Sequence, residues 1–235
     1  MIKKAMILAA GFGKRILPLT IDCPKPLLKI GNETLLSNTL KFLENFGIKE
    51  VVINTHYLSE KIIDYINNNN FNMTINIVEE KEKILDTGGG IMNCLHHFSN
   101  ETFLVINPDT IWNLNYLKEL QKMEKFFSSN AKLKCLLLVV KKLKSFDKSF
   151  KGDFNLINNL ISRNNRNDLN YIFTGLQIIK PEVFSTQDVG VFSINKVWDQ
   201  LIENKELYGI ESEINFNHVS TLNIYKTLLE KNFKH

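Results

Sequence analysis

The residues best suited to chemistry in this chain lie near its N-terminus, where two glycines precede a group of cationic side chains. Gly11 and Gly13 follow a short apolar run, KAMILAA, which predicts a buried first strand. Glycines at this place let the backbone turn tightly and leave its N–H groups accessible to a ligand. Lys14 and Arg15 follow at once and Lys25 comes ten residues later, so positive charge can surround a triphosphate. The spacing favours a nucleotide-binding site.

Two common phosphate-binding motifs are excluded. The chain contains no G-x-x-x-x-G-K-[ST] string, which a Walker loop requires. A dinucleotide fingerprint needs a third glycine where Ile16 stands, and an acidic residue at the end of a second strand, which is also missing. A G-x-G string alone would fit an ordinary strand-to-helix turn with surface cations. The combination of G-x-G-x-R, P-x-T and P-K-P directly after the first strand favours a nucleotide site.

A carboxylate, Asp109, follows an apolar strand predicted at 102–107. Ligands of open α/β sheets gather at the carboxyl ends of strands, and a carboxylate there is a hard oxygen ligand for Mg²⁺. Such an ion bridges the phosphate oxygens of a nucleoside triphosphate. The alternative is an aspartate that caps the turn before Ile111. In combination with the glycine-rich loop, the metal site is the favoured interpretation.

The glycine-rich segment resembles the signature of the sugar-1-phosphate nucleotidylyltransferases, L-A-A-G-x-G-x-R-x-x-P-x-T-x-x-x-P-K-P. Every fixed position of that pattern is matched between Leu8 and Pro26. Further segments are similar to the family's T-G-G-G turn, its N-x-D metal motif and its sugar-side elements: KILDTGGGIMNCL (83–95), INPDT (106–110), and FKGDF (150–154) with FTGLQIIKPEVF (173–184). In its compact length, its T-G-G-G and G-D-F motifs and its ending, the chain is most similar to N-acetylmuramate-1-phosphate uridylyltransferases of the peptidoglycan-recycling type.

The resemblance implies a reaction and a set of site residues. The reaction joins a nucleoside triphosphate to a sugar 1-phosphate and releases pyrophosphate, with Mg²⁺ as cofactor; UTP and N-acetylmuramate 1-phosphate are the first substrates to expect. Arg15, Lys25 and Asp109 would be catalytic, with Asp109 holding the metal. The implied nucleotide-binding residues are Leu8, Ala10, Gly11, Gly13, Lys14, Arg15, Lys25 and Gly88, and the implied sugar-binding residues are Asn107, Asp153, Thr174 and Gly175.

The three glycines at 88–90 suit a turn in which the backbone approaches a flat base closely. By resemblance this turn would form the pyrimidine side of the site, flanked by Asp86 and Thr87. A flexible loop before a helix that starts at Ile91 is the alternative.

Two positions depart from the family pattern. The family commonly carries W-x-D-V-G-T near its C-terminus, and the aspartate of that motif is the second Mg²⁺ ligand; here the string FNHVST places His218 there. Imidazole is a poor ligand for Mg²⁺. We therefore expect Asp109 to hold the metal with nucleotide oxygens and water, or His218 to act as a cation or outer-shell group, or activity to be reduced. Pro108 stands where relatives carry a small residue, and it removes a backbone donor.

The composition is that of an ordinary globular protein, with 44% hydrophobic and 23% charged residues. No apolar run approaches the ~20 residues of a membrane span, and the N-terminal apolar stretch leads directly into the glycine motif. We therefore expect a cytoplasmic protein without a membrane partner. The net charge of +4 is modest and no nucleic-acid-binding motif is present in the sequence. We expect no nucleic-acid partner, and a monomer or small homo-oligomer.

Alternating strand and helix patterns must position these residues. The hydrophobic periodicity predicts strands at 4–10, 50–54, 74–78, 102–107 and 133–140, and helices at 35–45, from 59 onward and at 115–127. This alternation predicts an α/β fold with a Rossmann-like, mostly parallel mixed sheet flanked by helices. The resemblance implies the nucleotidyltransferase, glycosyltransferase-A-like form of that fold.

The region 141–180 breaks the alternation. It is polar and carries hairpin-like strands around 153–161 and 171–179, so we predict an insertion that lies over the sheet and forms the sugar side. After it we predict a helix at 196–204, a strand at 215–219 and a helix at 221–231. The prediction is one nucleotidyltransferase domain over residues 1–235 without a C-terminal β-helix domain.

Several functions stay open at this point. Mannose-1-phosphate guanylyltransferase and phosphocholine cytidylyltransferase are alternatives, because the loops that choose base and acceptor cannot be interpreted from spacing. A different class is a catalytically weakened, nucleotide-binding regulatory homologue, which His218 and Pro108 suggest. The intact Arg15, Lys25 and Asp109 favour the enzyme.

Overall fold

A computed structural model of the chain describes residues 1–163 and 169–231. Residues 164–168, which belong to the predicted insertion, and residues 232–235 lie outside the described part. The strands are β1 (Lys4–Leu8), β2 (Lys29–Ile30), β3 (Glu33–Thr34), β4 (Glu50–Thr55), β5 (Thr74–Glu79), β6 (Phe103–Ile106), β7 (Cys135–Lys141), β8 (Asn155–Ile157), β9 (Leu160–Ser162), β10 (Tyr171–Ile179) and β11 (Leu207–Glu211). The helices are α1 (Leu35–Phe46), α2 (Ser59–Asn67), α3 (Asp86–Asn93), α4 (Tyr116–Ser128), α5 (Asn195–Glu203) and α6 (Leu222–Glu230).

The main sheet has nine strands in the order β5-β4-β1-β6-β10-β7-β11-β9-β8, while β2 and β3 form a separate two-stranded sheet. β5, β4, β1 and β6 are parallel neighbours. β10 is antiparallel to both β6 and β7, and β11 is parallel to β7, so β7 and β11 run in the same direction as β1. The predicted mostly parallel mixed sheet is confirmed, and the carboxyl ends of six strands meet at one edge.

Helices cover both faces of this sheet. Along β1 the side chains alternate, with Ala5 and Ile7 in one buried cluster and Met6 in the other. The first cluster includes side chains of α1 and α4, and the second includes side chains of α3 and α5. A strand buried on both faces is apolar at consecutive positions, and this is why the strands of the parallel half are easily predicted from sequence.

In the second half of the chain two predictions are wrong, and one strand was not predicted. β10, predicted to lie over the sheet with the insertion, is a buried strand between β6 and β7. β11 was not predicted, because Gly209 interrupts its apolar pattern. The structure explains this glycine, since a Cβ at position 209 would lie 2.6 Å from Ile161 Cδ1. The segment 215–219 is not a strand of either sheet. It forms single bridges, from His218 to Thr110 and from Phe216 to Ser145.

The residues at the two ends of α1 are of types that commonly begin and end helices. Thr34 Oγ1 accepts a hydrogen bond from Ser37 N at 2.9 Å at the start of α1, and Gly47 ends the helix with φ +97°. None of the helices in the described residues is both long and apolar enough to cross a lipid bilayer.

Candidate active site

A cleft of about 520 Å³ opens at the carboxyl ends of β1, β4 and β6. Its walls come from the segment after β1, the end of β4, the start of α3 and the segment after β6. The lining residues are Leu8, Ala9, Ala10, Gly11, Phe12, Gly13, Lys14, Arg15, Ile16, Lys25, Pro26, Asn54, Ile84, Asp86, Thr87, Asn107, Pro108, Asp109 and Ser220. The predicted phosphate loop and the predicted metal ligand therefore share one cleft.

The loop after β1 is shaped by Gly13, which has φ +65°. A Cβ at this position would lie 2.8 Å from Thr20 Cγ2, so a side chain would be excluded by contact as well as by conformation. The Gly13 carbonyl accepts hydrogen bonds from Ile16 N at 2.8 Å and from Thr20 Oγ1 at 3.0 Å. Gly11 differs, because no atom lies within 4 Å of the place where its Cβ would be. The space beside Gly11 is open to the cleft and leaves room for a ligand.

The three cations predicted around the loop differ in their surroundings. Lys14 and Arg15 are exposed at the cleft, and Lys14 Nζ lies 5.3 Å from the centre of the Phe12 ring. Lys25 is largely buried and its Nζ lies 2.5 Å from Asp109 Oδ2. The sequence analysis placed Lys25 on phosphates and Asp109 on a metal, but did not predict that the two side chains pair with each other.

Asp109 is held in an asymmetric way. Its Oδ2 atom accepts a hydrogen bond from Lys25 Nζ and also contacts His218 Nε2 at 3.1 Å. Its Oδ1 atom is buried and has no hydrogen-bond partner in the described part of the chain. Burial by itself would raise the pKa of Asp109, but the charge and hydrogen-bond interactions with His218 and Lys25 outweigh it and hold that pKa well below its ordinary value. The carboxylate is therefore ionised and has one oxygen available.

His218 reaches Asp109 because the segment that carries it is fixed by the backbone. Val219 N donates to Asp109 O at 2.8 Å, and Ile111 N donates to Asn217 O at 2.9 Å. The His218 ring is stacked on Phe216 with ring centres 5.6 Å apart, and its Nδ1 atom is buried without a hydrogen-bond partner among the described residues. The imidazole thus lies at the predicted second-ligand position, and it pairs with the first carboxylate instead of adding a second one.

These residues allow a specific test of whether Mg²⁺ fits. Residues 1–163 and 169–231 contain no group of three or more His, Cys, Asp or Glu side chains that could hold a metal ion by themselves. The orphaned Oδ1 atom of Asp109 is a suitable single ligand for a hard cation. The arrangement therefore fits an ion that takes one oxygen from the protein and the others from phosphates and water.

Ser220 also lines the cleft, and it connects the His218 segment to a second buried carboxylate. The Ser220 hydroxyl donates to Asp147 Oδ2, and Ser149 donates to Asp147 Oδ1 from both its backbone N–H and its hydroxyl. Burial would raise the pKa of Asp147, but the hydrogen bonds from Ser149 and Ser220 lower it below its ordinary value. All of these contacts are internal, so Asp147 anchors the segment and does not face a ligand.

The three glycines at 88–90 do not form the predicted turn; they lie within α3. Gly88 is buried away from the cleft, where a Cβ would lie 2.4 Å from the Phe192 ring, and a Cβ at Gly89 would lie 2.2 Å from Gly190 O. The glycines allow the segment that contains residues 190–192 to pack directly on the helix. Asp86, with φ +61°, and Thr87 line the cleft at the start of α3.

The predicted sugar-side residues are divided between the cleft and its support. Asn107 lines the cleft, and its N–H donates to Gly175 O at 2.8 Å. Gly175 has φ +92°, and a Cβ there would lie 2.9 Å from Asn107 Cβ. The buried Thr174 hydroxyl donates to Leu138 O at 2.9 Å. Thr174 and Gly175 thus do not line the cleft, and Gly175 supports Asn107 through its backbone.

Asp153 also makes an internal contact, since its Oδ2 atom accepts a hydrogen bond from Phe173 N at 2.9 Å. Burial raises the pKa of Asp153 above its ordinary value. Its predicted contact with a sugar stays a prediction.

Asn54, which lines the cleft, and Glu80, which pairs with it, were missed by the sequence analysis. Asn54 lines the cleft and donates through Nδ2 to Glu80 Oε1 at 2.7 Å. Both residues lie at the carboxyl ends of parallel strands, β4 and β5. The same positional rule that indicated Asp109 would have found them.

Together, the sheet with its cleft at the carboxyl ends, the glycine-rich loop and the facing carboxylate define a nucleotide-binding α/β enzyme. The nucleotidyl transferase family profile matches residues 4–146. The chain belongs to this family, and its relatives make it a sugar-1-phosphate nucleotidyltransferase.

Two of these relatives are described as N-acetylmuramate alpha-1-phosphate uridylyltransferases. The protein from Caulobacter vibrioides is 27% identical over 222 residues, which cover 92% of this chain and 91% of the relative. The protein from Neisseria meningitidis serogroup B is 32% identical over 192 residues, which cover 80% of this chain and 79% of the relative. A solved structure of UDP-glucose pyrophosphorylase complexed with UDP-glucose is similar in fold, with a TM-score of 0.78 over 100% of this chain and 99% of that one at 18% identity.

Proposed function

We propose that this enzyme transfers UMP from UTP to N-acetylmuramate 1-phosphate and releases pyrophosphate. The observation that carries the proposal is that residues 9–16, Lys25 and Asp109 line one cleft, in a chain similar over most of its length to two uridylyltransferases. Free thiols at Cys23, Cys94 and Cys135 and a nucleoside triphosphate substrate both support a cytoplasmic location.

The reaction requires no covalent link to the protein. A phosphate oxygen of the sugar 1-phosphate attacks the α-phosphorus of UTP and forms the new phosphorus–oxygen bond. The bond between the α-phosphorus and the oxygen that leads to the β-phosphorus breaks, and its electron pair leaves with pyrophosphate. The protein's task is to position the two substrates and to stabilise charge on the phosphate oxygens.

The position of each residue in the cleft indicates its role in the reaction. The exposed Arg15 and Lys14 and the open backbone beside Gly11 bind the outgoing phosphates. Lys25 approaches the transferred phosphate from its position beside Asp109. Because Lys25 and His218 share one oxygen of Asp109, phosphate oxygens can replace part of that contact when the nucleotide binds.

Mg²⁺ is part of the proposal, with Asp109 Oδ1 as the protein ligand. When bound, the ion would neutralise charge on the phosphate oxygens. Asp109 would then connect the metal with Lys25 and His218, since its other oxygen contacts both of these side chains.

The experiment is a pyrophosphate-release assay in which ATP, CTP, GTP and UTP are each combined with N-acetylmuramate 1-phosphate, mannose 1-phosphate, glucose 1-phosphate and phosphocholine. We expect the highest kcat/KM for UTP with N-acetylmuramate 1-phosphate. GTP with mannose 1-phosphate, or CTP with phosphocholine, as the best pair would replace the proposed substrates. Binding of nucleotides without turnover in any pair would indicate a regulatory homologue.

A further inference from the structure

A buried side-chain pair beside the nucleotide cleft joins three segments that follow different elements of the fold. Asn54 is the next-to-last residue of β4 and is 2% exposed. Glu80 follows β5 directly and is 4% exposed. No cationic side chain pairs with Glu80 in the described residues, so neutral donors satisfy this buried carboxylate.

The hydrogen bonds of the pair form a continuous chain. Ala9 N, at the start of the glycine-rich loop, donates to Asn54 Oδ1 at 3.1 Å. Asn54 Nδ2 donates to Glu80 Oε1 at 2.7 Å. Leu85 N, just before α3, donates to Glu80 Oε2 at 2.7 Å. The phosphate loop, the end of β4 and the start of α3 are thus held by one carboxylate.

Helix α3 packs directly on this pair. A Cβ at Gly90 would lie 2.7 Å from Asn54 Nδ2 and 2.8 Å from Glu80 Oε1, so only glycine fits the observed contact. The third glycine of the T-G-G-G segment is therefore explained by the Asn54–Glu80 pair and not by a ligand.

The pair is suited to positioning rather than to binding. Both polar atoms of the Asn54 amide are used internally, and each oxygen of Glu80 accepts one hydrogen bond. The residues it fixes are those that line the cleft: Ala9, Asn54 itself, and Ile84 and Asp86 on either side of Leu85.

We propose that Glu80 is a positioning residue for the nucleotide, and that it acts through Asn54 and Leu85 to set the distance between the glycine-rich loop and the start of α3. The proposal deepens the proposed function and rests on it for the choice of UTP as the probe. Its consequence is that loss of the Glu80 contacts weakens the ground-state fit of the nucleotide more than it slows the chemical step.

The test exchanges the carboxylate and the amide between positions 80 and 54. In Glu80→Gln, one acceptor becomes an amide donor, so the residue cannot accept from both Asn54 and Leu85. In the double variant Glu80→Gln with Asn54→Asp, the glutamine amide donates to the new carboxylate, while Ala9 N and Leu85 N keep their acceptors. Glu79→Gln is the matched control, because it removes the same charge from the neighbouring exposed residue of β5.

We expect Glu80→Gln to raise the KM for UTP and its calorimetric Kd about tenfold, in line with one lost charged hydrogen bond, and to change kcat by less than about threefold. The double variant should regain at least half of the loss on a logarithmic scale, and Glu79→Gln should match the unaltered enzyme. An unchanged KM and Kd in Glu80→Gln, with only a lower Tm, would overturn the proposal, as would a double variant no better than the single ones. If the unaltered enzyme uses another nucleoside triphosphate, the proposed substrate fails alone, and the same variants are compared with that nucleotide.

Discussion

Glu80 and Asp109 are acidic side chains that follow β5 and β6, the two outer strands of the parallel group β5-β4-β1-β6, and their oxygens are hydrogen-bonded in different ways. Each oxygen of Glu80 accepts one hydrogen bond from a neutral donor, Asn54 Nδ2 or Leu85 N. In Asp109, Oδ2 contacts both Lys25 Nζ and His218 Nε2, whereas Oδ1 has no hydrogen-bond donor in the described part of the chain.

The difference distinguishes a carboxylate whose two oxygens are both hydrogen-bonded from one that has an unpartnered oxygen. A buried polar group that is fully hydrogen-bonded has nothing left to offer a substrate, whereas an unpartnered buried oxygen has a desolvation penalty that a ligand can relieve. The charge and hydrogen-bond interactions of Lys25 and His218 with Asp109 outweigh the effect of burial and lower the pKa of Asp109. The unpartnered oxygen of Asp109 is the reason why the proposed metal is assigned to Asp109 and not to Glu80.

The largest effect should come from Asp109→Asn. An amide is a weaker ligand for a hard cation than a carboxylate, so we expect kcat in Mg²⁺ to fall by about 10³-fold or more while nucleotide binding partly survives. Steady-state kinetics and calorimetry measure the two effects separately. Glu80→Gln provides the contrast, since it should change KM more than kcat; ordinary turnover in Asp109→Asn would remove the assignment of the metal to this residue.

Lys25→Ala and Arg15→Ala should each lower kcat/KM by about 10²–10³-fold, because each removes a group that stabilises charge on the phosphates. Lys118 is an exposed lysine on α4, and Lys118→Ala is the matched control, which should leave kcat/KM unchanged. Circular dichroism at the assay temperature checks that the variants are folded. Near-normal turnover in both variants would show that other cations of the cleft carry this role.

His218→Asp should tighten Mg²⁺ binding by the nucleotide-free enzyme about tenfold, because it adds a second hard oxygen ligand beside Asp109. The unaltered enzyme should bind Mg²⁺ weakly without nucleotide, since its described residues supply one carboxylate oxygen. Titration calorimetry with Mg²⁺ alone measures both. Tight binding by the unaltered, nucleotide-free enzyme would show that the metal uses different residues.

The smallest effect is on acid stability. Because the pKa of Asp109 is lower in the folded state than its ordinary value near 4, its contribution to stability is complete above that pH and is lost as the pH falls below it. We expect the unfolding free energy to decrease by up to about 1.4 kcal/mol per pH unit from this one group below pH ~4. Urea unfolding from pH 6 to pH 3 should show a shallower decline for Asp109→Asn than for the unaltered protein; parallel curves would contradict the assignment.

The parts of the fold that follow from local pattern were predicted correctly. The apolar runs of β1, β4 and β6 and the periodic helix α1 can be recognised in the sequence because buried elements repeat their pattern over several residues. The errors lie where tertiary contacts override that pattern. The glycines at 88–90 favour a turn by composition, but the close packing of Phe192, Gly190 and the Asn54–Glu80 pair against α3 requires them inside a helix.

The candidate site shows the same division. The glycine-rich loop and its adjacent cations are contiguous, so a phosphate-binding segment after the first strand could be predicted from the sequence alone. The pairing of Lys25 with Asp109, 84 positions away, and the contact of His218 with the same oxygen depend on the tertiary structure. The buried hydrogen bond between Asn54 and Glu80 depends on it as well. The reason is physical: backbone conformation responds to neighbouring residues, whereas the partner of a buried charge depends on which strand ends the folded sheet brings to one edge.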